Sequence, residues 1–183
     1  MLITPAQLAE EALQLNESLP EGAIDYAPDV RQIGPLALTG RADLIVEHRG
    51  PREFVEDIRL RAHFEGRFEL PCARCLEPVQ MPLAGDFDLI YRPASVETEP
   101  GEHAITEDET EIGYYEKSGL LLEDAVREQV LLGLPGRALC QQECKGLCPK
   151  CGANRNLTDC GCADEQKDPR WSALAGLSLG SKQ

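Results

Sequence analysis

Between Leu36 and Tyr91 apolar and polar residues alternate along the chain, the period of strands with one wet face. The run "LALTGRADLIVEH" (36–48) alternates in part. In "EFVEDIRLRAHFEGRFEL" (53–70), Val55, Ile58, Leu60, Ala62, Phe64 and Phe68 stand against charged neighbours, and the slip between Val55 and Ile58 predicts a bulge or an offset. In "VQMPLAGDFDLIYRP" (79–93), Phe87, Leu89 and Tyr91 recur at period two. Three antiparallel strand regions are expected, joined by turns at "HRGPRE" and "PCARCLEP", so the Cys72–Cys75 pair belongs at a hairpin tip.

Two flanking stretches change to a helical period. Thr4, Pro5 and Gln7 have the spacing of a capping box with proline at the first helical position, and Leu8, Ala12, Leu13 and Leu15 continue one face, so a helix is expected over 4–15. "GLLLEDAVREQVLLGLP" (119–135) predicts a long helix packed across the sheet, ended by Gly133 and Pro135. The acidic, turn-rich residues 95–117 read as a loop. "DPRWSALAGLSL" predicts a short amphipathic helix with Asp168 as its cap, and Trp171 and Leu174 could dock on the body or on a partner. The expected class is α+β: a curved antiparallel sheet, one long helix and a cysteine-rich C-terminal segment. The expected organisation is a helix and loop (1–35), a body (36–135), a metal-binding segment (136–163) and a tail (164–183).

Chemistry enters with eight cysteines in 183 residues. The N-terminus shows no basic leader and no apolar stretch of signal-peptide length, and no run approaches the roughly 18 apolar residues of a spanning helix. A cytosolic location is therefore expected, where closely spaced cysteines bind metal more readily than they form disulfides. "CPKCG" has the form of a zinc knuckle: the spacing lets Cys148 and Cys151 reach one ion, and Gly152 permits the tight return. Cys160 and Cys162 complete a four-sulfur set. Cys72, Cys75, Cys140 and Cys144 also number four, so the favoured partition is two zinc ions, each on four cysteines, the first clipping the sheet to the C-terminal segment. Three alternatives stand beside it. They are a single zinc on Cys144, Cys148, Cys151 and one of the last pair, an iron–sulfur cluster, and thiol redox chemistry.

Net charge bounds the partners. The formal value of −14 opposes simple binding to a phosphate backbone and suits a basic protein partner better than RNA or an anionic membrane. Local basic residues, Arg59, Arg61, Arg67 and Arg74 with Lys145, Lys150 and Arg155 at the cysteine end, are the candidates for direct RNA contact. His48, His63 and His103 are scattered, and no catalytic spacing or phosphate loop is present, so nothing here points to an enzyme or a small-molecule substrate.

"LPCARCLEPV", "LLLEDAVREQVLLGLP", "CKGLCPKCGANRN", the trailing Cys-x-Cys and "DPRWSAL", in this order, resemble the YceD family of bacterial proteins with plastid relatives. The resemblance runs from Leu36 to Leu177 and is most specific at C-x-G-L-C-P-x-C-G-x-N. It implies a role in accumulation of large-subunit (23S) ribosomal RNA and ribosome assembly, with pre-ribosomal particles as partner and no catalytic activity. Arg155 departs from the Asn-Leu-Asn expected at 154–156.

Overall fold

The computed structural model describes residues 1–48, 54–94, 112–116 and 118–162. In chain order these form β1 (Leu2–Ile3), α1 (Pro5–Glu10), β2 (Leu13–Leu19), β3 (Arg31–His48), β4 (Phe54–Pro71), β5 (Pro78–Pro93), β6 (Ile112–Tyr115), β7 (Leu120–Leu121) and α2 (Leu122–Gly133). Strands β2 to β6 lie in sequence order in one curved sheet that does not close on itself. A two-residue pairing of β1 with β7 fastens the N-terminus beside α2.

The three long strands sit where the alternation placed them, and their register puts one face together. Leu38 opposes Phe64, Ala42 opposes Leu60, and across the other edge of β4 Ala62 opposes Phe87 and Ile58 opposes Tyr91. With Leu8 of α1 and Leu122, Ala125, Val126 and Val130 of α2, these side chains make the buried core. At about 25 cal/mol per Å² of apolar surface removed from water, this shared face is the main force holding helices to sheet. The opposite face is polar and internally paired. Arg59 donates to Asp88 at 2.6 and 2.8 Å, Arg61 and Arg41 both reach Asp43 at 2.7 and 2.6 Å, and His63 lies 2.9 Å from Asp86.

Three expectations are corrected. The N-terminal helix stops at Glu10. Its capping box forms, with the Gln7 N–H donating to Thr4 Oγ1 at 3.3 Å, but Leu13, Leu15 and Leu19 take up a strand period and pair with β3. A complete ladder beside a long strand overrides the good helix propensity of Ala12–Leu15, because tertiary pairing outweighs propensity differences of about 0.7 kcal/mol per residue or less. The helix expected over 119–135 is not long: α2 has 12 residues, because Leu120 and Leu121 are drawn into pairing with β1. The sheet is not wholly antiparallel, since β6 runs parallel to β5, and it lies inside the stretch expected to be loop.

A fourth difference is a bulge: β4 pairs with β3 without a break from Val55 to Ile58, and the bulge falls in β3 between Ile33 and Ala37. Gly34 there adopts a φ of 73° and Pro35 has no N–H to pair, while the buried Gln32 amide donates to the carbonyls of Leu19 (3.0 Å) and Gly34 (2.8 Å). The slip in β4 has another cause. Asp57 is buried where an apolar residue would stand, and it accepts from Arg92 at 2.8 and 3.1 Å. The expected tail helix, the 49–53 turn and most of the acidic stretch lie outside the described residues.

Candidate metal centres

The CxxC of "PCARC" caps the β4–β5 hairpin. Within it the Cys72 N–H donates to the Glu77 carbonyl at 2.8 Å and the Leu76 N–H to the Cys72 carbonyl at 2.9 Å, closing a tight turn. Leu76 takes a φ of 63°, the one left-handed non-glycine among the described residues. Its counterpart in the second knuckle is Gly152, at φ 74°, whose N–H donates to the Cys148 carbonyl at 2.8 Å. The two CxxC turns thus share one backbone geometry, although only one carries the glycine that makes it easy.

From α2 the chain returns to the hairpin tip. Ala73 donates to the Ala138 carbonyl at 2.8 Å, and Leu147 donates to the Arg74 carbonyl at 3.0 Å. Gly146, at φ 72°, lets the returning chain pass close by: a Cβ there would stand 3.0 Å from the Arg74 carbonyl oxygen. The Arg74 guanidinium donates to the carbonyls of Cys144 (2.8 Å) and Gln142 (3.4 Å). Arg74, read from the sequence as a candidate RNA contact, therefore stitches the hairpin to the C-terminal segment. Lys145 and Lys150 are exposed beside the cysteines, as is Arg155, whose N–H donates to the Gly146 carbonyl at 2.9 Å.

The result is two groups of four thiols, Cys72, Cys75, Cys140 and Cys144 in one and Cys148, Cys151, Cys160 and Cys162 in the other, with the sulfurs of each group all within 4.8 Å of one another. This is the partition the spacing favoured; the single-site arrangement would need Cys144, which belongs to the first group. Cys72 Sγ lies 3.8 Å from Cys144 Sγ, and Cys75 Sγ lies 3.6 Å from Cys140 Sγ. A tetrahedron of sulfurs about 2.3 Å from a central ion has edges of about 3.8 Å. These are the edges of a cage for one ion, whereas disulfide bonding requires about 2.05 Å. A polynuclear iron–sulfur cluster needs its thiolates spread around several metal atoms.

Electrostatics point the same way. The Arg74 and Cys140 backbone N–H groups bring Cys72 down to about 6, and those of Cys151 and Lys150 bring Cys148 down to about 6. Desolvation and the surrounding sulfurs push Cys140 up to about 12, and the sulfurs of Cys151, Cys160 and Cys148 push Cys162 up to about 12. Within each cage some thiolates form readily while others are resisted by like charge. A cation at the centre removes that conflict.

A polar shell that the spacing did not reveal supports the first cage. Burial raises Cys144, but the Asn156 amide, donating to its sulfur at 3.2 Å, and the Gly146 N–H outweigh it. Asn156 also accepts from the Lys145 N–H at 2.8 Å and donates to Asn154 Oδ1 at 2.8 Å, and Asn154 in turn donates to Glu77 at 3.3 Å. Asn156 sits in the loop between the ligand pairs of the second cage, yet it serves a sulfur of the first. The cages differ in cover: three of the first four cysteines are buried, but only Cys148 of the second. No histidine joins either group among the described residues.

The family described as "Large ribosomal RNA subunit accumulation protein YceD" matches residues 60–178, a span that holds all eight cysteines. Uncharacterized proteins of Mycobacterium tuberculosis and Mycobacterium bovis are 36% identical over 110 residues, 58% of this chain and 48% of theirs. The chain thus spans about half the length of these mycobacterial relatives. A Bacillus subtilis protein, YlbN, also uncharacterized, is 26% identical over 170 residues, 92% of this chain and 86% of its own. A chloroplast protein of Arabidopsis thaliana, named Large ribosomal RNA subunit accumulation protein YCED homolog 1, is 42% identical over 52 residues, 28% of this chain and 16% of its own. No solved structure matches the chain.

Proposed function

Because the chain belongs to the YceD family, described by large ribosomal RNA subunit accumulation, we propose that it is a non-catalytic factor supporting 23S rRNA accumulation during large-subunit assembly in the cytoplasm. The observation that carries this reading is the family match across both cysteine groups, and the name of the plastid relative supports it. Each group would hold one Zn²⁺ on four thiolates. A catalytic zinc keeps an open position on three protein ligands, and two closed fours are the pattern of structural sites. The zincs would fix the returning segment on the hairpin tip, their binding contributing directly to folding free energy.

Contact with the pre-ribosome would run through a basic ribosomal protein. The net charge of −14 favours that route, and Arg59 and Arg61 of the sheet face are held by carboxylates. The other route, direct 23S rRNA contact at Arg74, Lys145, Lys150 and Arg155, predicts salt-dependent binding by the purified protein. Depletion in the source cell, followed by the ratio of 23S to 16S rRNA, tests the role: the ratio should fall and recover on re-expression, and an unchanged ratio would reject it. Pull-down with and without nuclease separates the routes, since loss of the ribosomal protein after nuclease would exclude direct protein contact. The exposure of Cys151 and Cys162 favours one further reading, a zinc-linked redox sensor or chaperone. Zinc retained at physiological peroxide would eliminate it.

A further inference from the structure

The side of the molecule where β6 meets α2 carries two adjoining grooves, of about 860 and 330 Å³, that share Tyr91, Gly113 and Glu128. Leu89, Ile90 and Ile112 help floor the larger. Three exposed apolar side chains also line this surface: Leu132 at 71%, Leu121 at 47% and Tyr114 at 43% exposure. A single exposed apolar side chain is ordinary, but several gathered along one concave strip form a patch.

The rim is acidic. Asp124, Glu128 and Leu132 follow at i, i+4 and i+8 on α2, so the carboxylates and the leucine share one stripe of the helix. Glu116 stands at the end of β6 and Asp88 on β5. Among the described residues the one cation lining either groove, Arg59, is spent on Asp88. Among the described residues no ion pair engages Asp124, Glu128 or Glu116. The rest of the sheet's polar face shows the contrast, for there Asp43 holds Arg41 and Arg61, and Asp86 holds His63.

We infer that this groove is the docking site for a basic amphipathic polypeptide segment, which lays apolar side chains between Leu132 and Leu121 and presents Lys or Arg to Asp124, Glu128 and Glu116. The inference rests on the reading above, that the partner is a basic ribosomal protein, and deepens it by placing the contact. Charge complementarity selects the occupant. A nucleic acid would bring phosphates against carboxylates that no ion pair engages among the described residues, and the stretch 95–111 of this chain is itself acidic in sequence. A second copy would bring the same acids against themselves.

The test uses the full zinc-loaded chain and a synthetic Lys/Leu peptide of about 18 residues with leucines at helical spacing. Its charge-reversed Glu/Leu counterpart and a single-stranded RNA of similar length are the comparison probes. Binding is read by fluorescence anisotropy at low and physiological ionic strength. Tight binding of the basic peptide alone is expected. Glu128→Lys with Asp124→Asn, or Leu132→Asn, should weaken it about tenfold or more. Glu17→Lys with Glu65→Gln, equal in charge change but on other strands, should leave it nearly unchanged; circular dichroism confirms folding of each variant. Equal weakening by the control pair would overturn the proposal, since net charge alone would then be at work. So would RNA binding lost in the groove variants, or a dimer dissolved by Leu132→Asn. Co-sedimentation of the Glu128→Lys, Asp124→Asn variant with large-subunit particles separates this inference from the role itself. Retained association would reject the groove and leave the role standing. An unchanged rRNA ratio on depletion would reject the role without touching the peptide result.

Discussion

Asn156 shows how one side chain can join two sites. It lies in the loop between the second cage's ligands, yet its amide supports a sulfur of the first and its carbonyl oxygen orders the Lys145 backbone. Partners of this kind typically tune metal affinity by about 10- to 100-fold. Asn156→Ala should therefore lower zinc affinity at the first cage by about that factor, read by competition with a chromogenic chelator. Loss confined to the second cage would show that the loop serves only its own ligands. The sequence displayed Asn154 and Asn156 plainly but could not say which cage they serve, because their partners are 12 residues upstream, at Cys144, and 77 upstream, at Glu77. Leu76 was equally visible as the residue standing where a knuckle carries glycine. That it adopts the glycine conformation needed the structure.

Among the elements, the long strands were legible because alternation is local and the sheet has one wet face. β2 was not, since "ALQLNESL" satisfies a helical and a strand period over too few residues, and pairing with β3 decides. β6 was hidden by its acidic neighbours, and its four residues carry too short a pattern. The slip in β4 is an offset in the alternation and not a bulge. It marks Asp57, which together with Arg92 is nearly enclosed, at 6% and 12% side-chain exposure. Removing one partner of a buried pair typically costs about 3 to 5 kcal/mol, and Glu47, 2.9 Å from Arg92, offsets part of that. Asp57→Ala should lower stability by about 2 to 3 kcal/mol in urea denaturation, more than Asp86→Ala on the exposed face. Equal effects would mean that the pair adds nothing beyond a surface ion pair.

Across the whole molecule, the cysteine grouping was readable because ligand spacing is a local code, and a hairpin-tip CxxC left over with Cys140 and Cys144 had one natural destination. The acidic groove was not, since its walls come from β5, β6 and α2 and meet only in the fold. The first cage joins residues 65 positions apart, from Cys75 to Cys140, with a set of backbone bonds around it, while the sheet keeps its own core. Chelation should therefore raise hydrogen exchange at 72–77 and 138–162 well before the β3–β5 amides respond. Simultaneous loss of protection would make the zincs part of the core itself.

The direct measurement is metal content of the purified full chain by mass spectrometry, repeated after Cys→Ser changes within each group. Two zinc ions per chain are predicted, falling to one with Cys72→Ser and Cys75→Ser and to one with Cys160→Ser and Cys162→Ser. One ion in the unaltered chain, iron in place of zinc, or loss of both ions from either pair would contradict two separate four-cysteine centres.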